Sequence, residues 1–170
     1  MGLQVNTIGA CTLVDVMTNS YTGVTSAVLK FKNIETNAVY SQNITYSGSP
    51  LRAHVQVSTL DLPSENGPYE VSLEESNSEV ARRSLLIHCD IDCCLTKLTN
   101  EIIDCHCDCP RCSTALARAQ KVFLLLDSAL STVELTNTTQ GQFNSGYYLD
   151  ISEKYKKAKS ICDNSCGCDC

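Results

Sequence analysis

The sequence predicts an α+β protein: an immunoglobulin- or fibronectin III-like β-sandwich over residues 1–88, then a cysteine-rich, metal-stapled three-helix bundle over residues 89–170. Two observations carry this. The hydrophobic period changes from two to about 3.6 between residues 85 and 90. Cysteine usage changes at the same place, with only Cys11 of the 12 cysteines preceding residue 89. Each half is roughly 85 residues long, a size at which a core alone stabilises little and an external staple becomes useful.

In the first half, alternating or β-branched runs fall at residues 3–8, 11–17, 27–33, 38–46, 54–60, 69–73 and 80–88, with turn residues between them. Seven short strands suit a two-sheet sandwich. Residues 62–71, reading Leu-Pro-Ser-Glu-Asn-Gly-Pro-Tyr-Glu-Val, match the corner that enters the sixth strand of such folds. Tyr69 is the expected corner tyrosine, with Val71 pointing into the core two residues on. No cysteine pair spans this half, which excludes an antibody-type disulfide. Cys11 is expected as a small buried apolar residue. His54 is expected as a half-exposed strand residue with no carboxylate beside it.

Three helices are expected in the second half. Their apolar faces are Ile91, Leu95, Leu98 and Ile102; Leu116, Ala119, Phe123, Leu126, Leu130 and Val133; and Tyr148, Ile151, Tyr155, Ala158 and Cys162. Asp90 or Asp92, Asp108 or Ser113, and Asn144 or Ser145 are the expected caps. Residues 134–146 are polar, contain two glycines and read as an exposed loop.

Eight cysteines lie in two short runs: Cys105, Cys107, Cys109 and Cys112, then Cys162, Cys166, Cys168 and Cys170. If the helices run up, down and up, both runs meet at one pole of the bundle. Cys89, Cys93 and Cys94 then fall at the other pole, about 20 Å away at 1.5 Å per residue. Eight thiolates suit two tetrahedral Cys₄ sites, so two structural Zn²⁺ ions are expected. Binding energy on the order of 10 kcal/mol per site would exceed the net stability of so small a bundle. Disulfides between the runs are the alternative, because Cys-x-Cys spacing disfavours bonds within a run but not between runs. His106 as a substitute ligand, and Cys89 and Cys93 with His88 as half of a third site, are subsidiary readings.

Composition narrows the function. A net charge of -6 argues against a nucleic-acid surface, which needs basic residues to neutralise phosphates. No apolar run reaches the roughly 18 residues of a membrane span. The N-terminal stretch MGLQVNTIGA has neither a basic start nor a long apolar segment, so synthesis in a reducing cytosol, with thiols available for metal, is expected. Cys109-Pro110-Arg111-Cys112 at a helix start has the form of a redox dithiol, but a cysteine-rich loop replaces the buried strand that should precede it. The sequence contains no Ser/His/Asp order, phosphate-binding glycine loop or helical His-Glu-x-x-His. Lys154, Lys156, Lys157 and Lys159 read as a solvated face.

A resemblance adds to this. Asp90-Ile91-Asp92-Cys93-Cys94-Leu95, the segment Cys107-Asp108-Cys109-Pro110-Arg111-Cys112, the helix at residues 119–126 and Tyr155-Lys156-Lys157-Ala158-Lys159 before Cys162 resemble the tail half of virion-associated proteins of tailed phages, including crAss-like and marine groups. The likeness covers residues 85–170 and carries over no functional residues. It implies a non-enzymatic structural or assembly part of a virion, at the neck, tail or capsid surface. Such a part would be assembled in bacterial cytoplasm, contact other virion proteins and form a homo-oligomer. The competing functions are a thiol-disulfide enzyme using Cys109 and Cys112, and a cytosolic zinc-stabilised adaptor.

Overall fold

The structure, a computed structural model, describes residues 2–9, 11–104, 110–138 and 145–163. Seven strands come first: β1 (Gln4–Ile8), β2 (Leu13–Asn19), β3 (Ser26–Asn33), β4 (Val39–Thr45), β5 (Arg52–Ser58), β6 (Gly67–Glu75) and β7 (Ser78–Ile87). Three helices follow: α1 (Cys89–Asp104), α2 (Pro110–Thr138) and α3 (Ser145–Asp163). The strands form two antiparallel sheets, β1-β2-β5 and β4-β3-β6-β7. All seven expected runs are strands, within a few residues at their ends.

Alternation explains how the sheets are buried. Val14 and Val16 of β2, Leu29 and Phe31 of β3, and Tyr69, Val71 and Leu73 of β6 point into one shared apolar core. The Tyr69 hydroxyl donates to the carbonyls of Pro63 and Ser64, pinning the chain as it enters β6. Near the end of this core, Glu75 is 1% exposed. It accepts hydrogen bonds from the Tyr21 and Thr22 amides and from the Thr22 and Tyr46 hydroxyls, at 2.6–2.9 Å. Burial pushes its carboxyl up, but these donors together outweigh burial and hold it below the usual glutamate range.

His54 departs from expectation. Its Nε2 lies 2.6 Å from Asp15 Oδ1, because β2 and β5 pair in a register that sets Asp15 opposite Gln56, one side-chain position from His54. That hydrogen bond holds the Asp15 carboxyl below its ordinary range.

The outer face of the second sheet carries the helices. Leu86 of β7 joins Ile91, Val122, Leu126, Ala129, Ile151, Tyr155 and Ala158 in a second apolar cluster. The expected face of α3 is the buried one. On α2 the expected Leu126 is buried and Val133 packs beside it, but the rest of the buried stripe is Ala115, Val122, Ala129 and Thr136, and the expected core residues Leu116, Phe123 and Leu130 are exposed. The difference is a rotation of roughly 60° about the helix axis at 100° per residue. α2 also continues through residues 134–138, where a loop was expected, because Thr136 and Asn137 bond to Ser84. It begins at Pro110, a residue suited to a helix's first position, rather than at a Ser113 cap.

Helix lengths correct the expected poles. Thr132 bonds Asp150, and Ala117 shares a groove with Ile161, so α2 and α3 run antiparallel. With 29 residues in α2, 16 in α1 and 19 in α3, α3 stops level with the second turn of α1. Cys94 and Cys162 consequently meet as a disulfide, their Cα atoms 5.7 Å apart, rather than lying at opposite ends. The end of α1 lies about 15 Å further on, ten residues beyond Cys94.

Candidate metal centre

The seam between sheets and helices is built by two local features. The first is the β1–β2 turn, where Thr12 donates both its amide and its hydroxyl to the Gly9 carbonyl. Gly9 has φ +61°, and a Cβ there would lie 2.6 Å from Thr12 Oγ1, so the turn needs glycine. Cys11 follows at φ 66°, a left-handed conformation uncommon for a residue with a side chain, and its side chain is buried. The second feature is the start of α1. The His88 carbonyl accepts the first helical bond, from the Asp92 amide, which places the His88 and Asp92 side chains one turn apart on one face.

These features bring three donors together. Cys11 Sγ, a ring nitrogen of His88 and an Asp92 carboxylate oxygen all lie within 4.8 Å of one another. Asp92 Oδ2 is 3.5 Å from Cys11 Sγ and 3.0 Å from His88 Nδ1. Among the described residues the buried His88 Nδ1 nevertheless makes no hydrogen bond of acceptable geometry, so the two groups converge without pairing along a bond axis. Cys89 adds a second thiol, its Sγ 3.1 Å from the Cys11 carbonyl. Burial, and then the Asp92 carboxylate, push the Cys89 thiol up. A thiol, an imidazole and a carboxylate converging on one point form a donor set of metal-binding type.

The seam is tied elsewhere as well. The Tyr155 hydroxyl donates to Asp90 Oδ2 at 2.7 Å, and burial together with that carboxylate pushes the phenol up. The expected solvated lysines all lie beside carboxylates of this chain: Lys154 by Asp150, Lys156 by Glu35, Lys157 by Glu153 and Lys159 by Asp90, at 2.7–3.7 Å.

Of the eight cysteines expected to bind zinc, only Cys162 has a described side chain, and it is bonded to Cys94. Cys105, Cys107, Cys109, Cys166, Cys168 and Cys170, the side chain of Cys112, and with them the Cys109/Cys112 dithiol and His106, lie outside the described residues. Sequence reasoning named His88 as a ligand but paired it with Cys89 and Cys93. Cys93 is exposed, and Cys11 and Asp92 take the positions beside the imidazole. The only signal for Cys11 was a lone cysteine two residues after a glycine, which does not reveal a partner 81 residues away.

Comparison with protein-family models, with curated proteins and with solved structures found no match. Among the described residues, no helix is long and apolar enough to cross a membrane.

Proposed function

We propose that this chain is a non-enzymatic structural or assembly protein, a fibronectin III-like docking sandwich fastened to a three-helix bundle by structural zinc. The observation that carries the reading is the place of the Cys11–His88–Asp92 set: one donor comes from a sheet turn and two from the strand–helix junction. A metal there would join the two parts, with Cys89, whose thiol reaches the Cys11 carbonyl, supplying the fourth ligand that closes a structural site. Two of the set's three edges also fit. At Zn–S of about 2.3 Å and Zn–N or Zn–O of about 2.0 Å, tetrahedral zinc needs S···O and N···O edges of about 3.5 and 3.3 Å. The observed edges are 3.5 and 3.0 Å. Cys89 supplies a further thiol at the same seam.

The strand order β1-β2-β5 and β4-β3-β6-β7, with a tyrosine hydroxyl closing the turn into the sixth strand, supports the fibronectin III-like reading. The virion setting rests on the resemblance of residues 85–170 to phage virion proteins. Native mass spectrometry before and after chelation, with thiol counting, tests the zinc. One metal should depart from the wild type that Asp92→Ala never holds, and a chain carrying no metal overturns the fastener. Recovery in several copies from purified particles is expected, and absence from them overturns the virion setting.

A further inference from the structure

The groove between α2 and α3 holds about 380 Å³ and gathers positive charge. Among the described residues it is lined by Thr114, Ala117, Arg118 and Lys121 of α2 and by Ser160 and Ile161 of α3. The four α2 residues stand at i, i+3, i+4 and i+7, which sets them on one stripe along the groove. Arg118 is half-buried and Lys121 exposed, and no carboxylate among the described residues comes within 4.0 Å of either cation. On α3, by contrast, Lys154, Lys156, Lys157 and Lys159 each have a carboxylate within that distance. Two like charges three residues apart repel within α2 unless an anion lies between them. The α3 wall is fixed in advance: Ile161 packs against the second apolar cluster, and its neighbour Cys162 is bonded to Cys94. A preformed wall lowers the ordering cost of binding.

We propose that this groove binds a small organic phosphate monoester. The Arg118 guanidinium offers a planar fork of N–H donors that matches phosphate oxygens, and the Lys121 ammonium adds a compact charge beside it. Two cations match the charge of about -1.5 to -2 that a monoester carries at pH 7, which a single carboxylate does not reach. Size argues for more than a bare ion, since the groove falls within the roughly 300–1,000 Å³ of small-molecule sites. Ala117 and Ile161 give the organic part an apolar wall next to the charged one. A nucleic acid would bring a run of phosphates against a chain of net charge -6, whereas one monoester needs only the local field.

This site goes beyond the fastener reading and does not depend on zinc. Amide chemical shifts of the full chain, titrated with phenyl phosphate, test it. Saturable shifts confined to residues 114–121 and 160–161 are expected, with a dissociation constant on the order of 0.1–1 mM. Inorganic phosphate, which lacks the ring, should bind about 5- to 10-fold more weakly, and benzoate, with one charge, more weakly still. Arg118→Gln should weaken phenyl phosphate at least about 10-fold with far-UV circular dichroism unchanged, because Arg118 makes no ion pair among the described residues. Lys121→Gln should act in the same direction. A wild type without saturable shifts up to about 10 mM overturns the proposal, as does an Arg118→Gln chain that binds equally well. Equal affinity for inorganic phosphate overturns the organic ligand, and equal affinity for benzoate overturns the phosphate.

Discussion

The side-chain amide of Asn137 completes the free edge of the second sheet at Ser84. Its Oδ1 accepts from the Ser84 amide at 2.6 Å and its Nδ2 donates to the Ser84 carbonyl at 3.0 Å, as a neighbouring strand would. β7 lies at the end of its sheet, where unpaired peptide groups invite another chain. The last turn of α2 closes this one, and Thr136 adds a 2.9 Å bond from its hydroxyl to Ser84 Oγ.

Asn137→Ala is therefore expected to cost more than a surface substitution. Ser84 is 1% exposed, so both of its peptide groups would be left buried and unpaired. A loss of about 2–3 kcal/mol is expected from the urea midpoint, with fraying of residues 134–138 visible as faster amide exchange.

Glu75 gives the fold an acid sensitivity of known sign. Its native carboxyl titrates below the ordinary glutamate range, so it contributes stability that is complete above the unfolded-state value, about pH 4.5. That contribution disappears as pH falls through the lowered native value. Glu75→Gln keeps the shape but loses the charge that its four donors address, and should cost about 2–4 kcal/mol at pH 7. Unfolding free energies measured between pH 7 and pH 3 should converge for wild type and variant at the acid end.

The Cys94–Cys162 bond closes a loop across a sequence separation of 68 residues. In the loop-entropy account, a closure of that length stabilises by about 4 kcal/mol. Cys94→Ala should lower stability by up to that amount under oxidising conditions. Reductant should bring the wild type to the same value while leaving the variant unchanged, as thermal melts with and without dithiothreitol would show.

The strands were legible because a strand's pattern is local: Val14 and Val16, or Leu29 and Phe31, declare their face within a few residues. Tyr69 was legible for the same reason, since its acceptors Pro63 and Ser64 are six and five positions away. The face of α2 was misread because the seven-residue ridge of Leu116, Phe123 and Leu130 is the stronger local pattern. The buried stripe through Ala115, Val122 and Ala129 uses small residues that let α2 approach its neighbours closely. Helix length mattered too. Equal helices would have kept Cys94 far from Cys162, and only the extension of α2 to Thr138, fixed by Ser84 in another part of the fold, brings them level.

The candidate metal centre was the least legible feature, since Cys11 meets Asp92 across 81 positions, and Cys11 also allows the sharpest test of it. Its φ of 66° disfavours a residue with a side chain by roughly 1 kcal/mol, which glycine would relieve. Glycine would also forfeit the burial of a small apolar group, a loss of similar size. Wild type and Cys11→Gly should therefore unfold at nearly the same urea concentration after chelation. With zinc at about 100 times its dissociation constant, the wild type should gain about 2.7 kcal/mol from this site and the variant none of that. A zinc-induced shift equal in both would remove Cys11 from the ligand set, because a fastener that ignores its one donor from the sheet joins nothing to the helices.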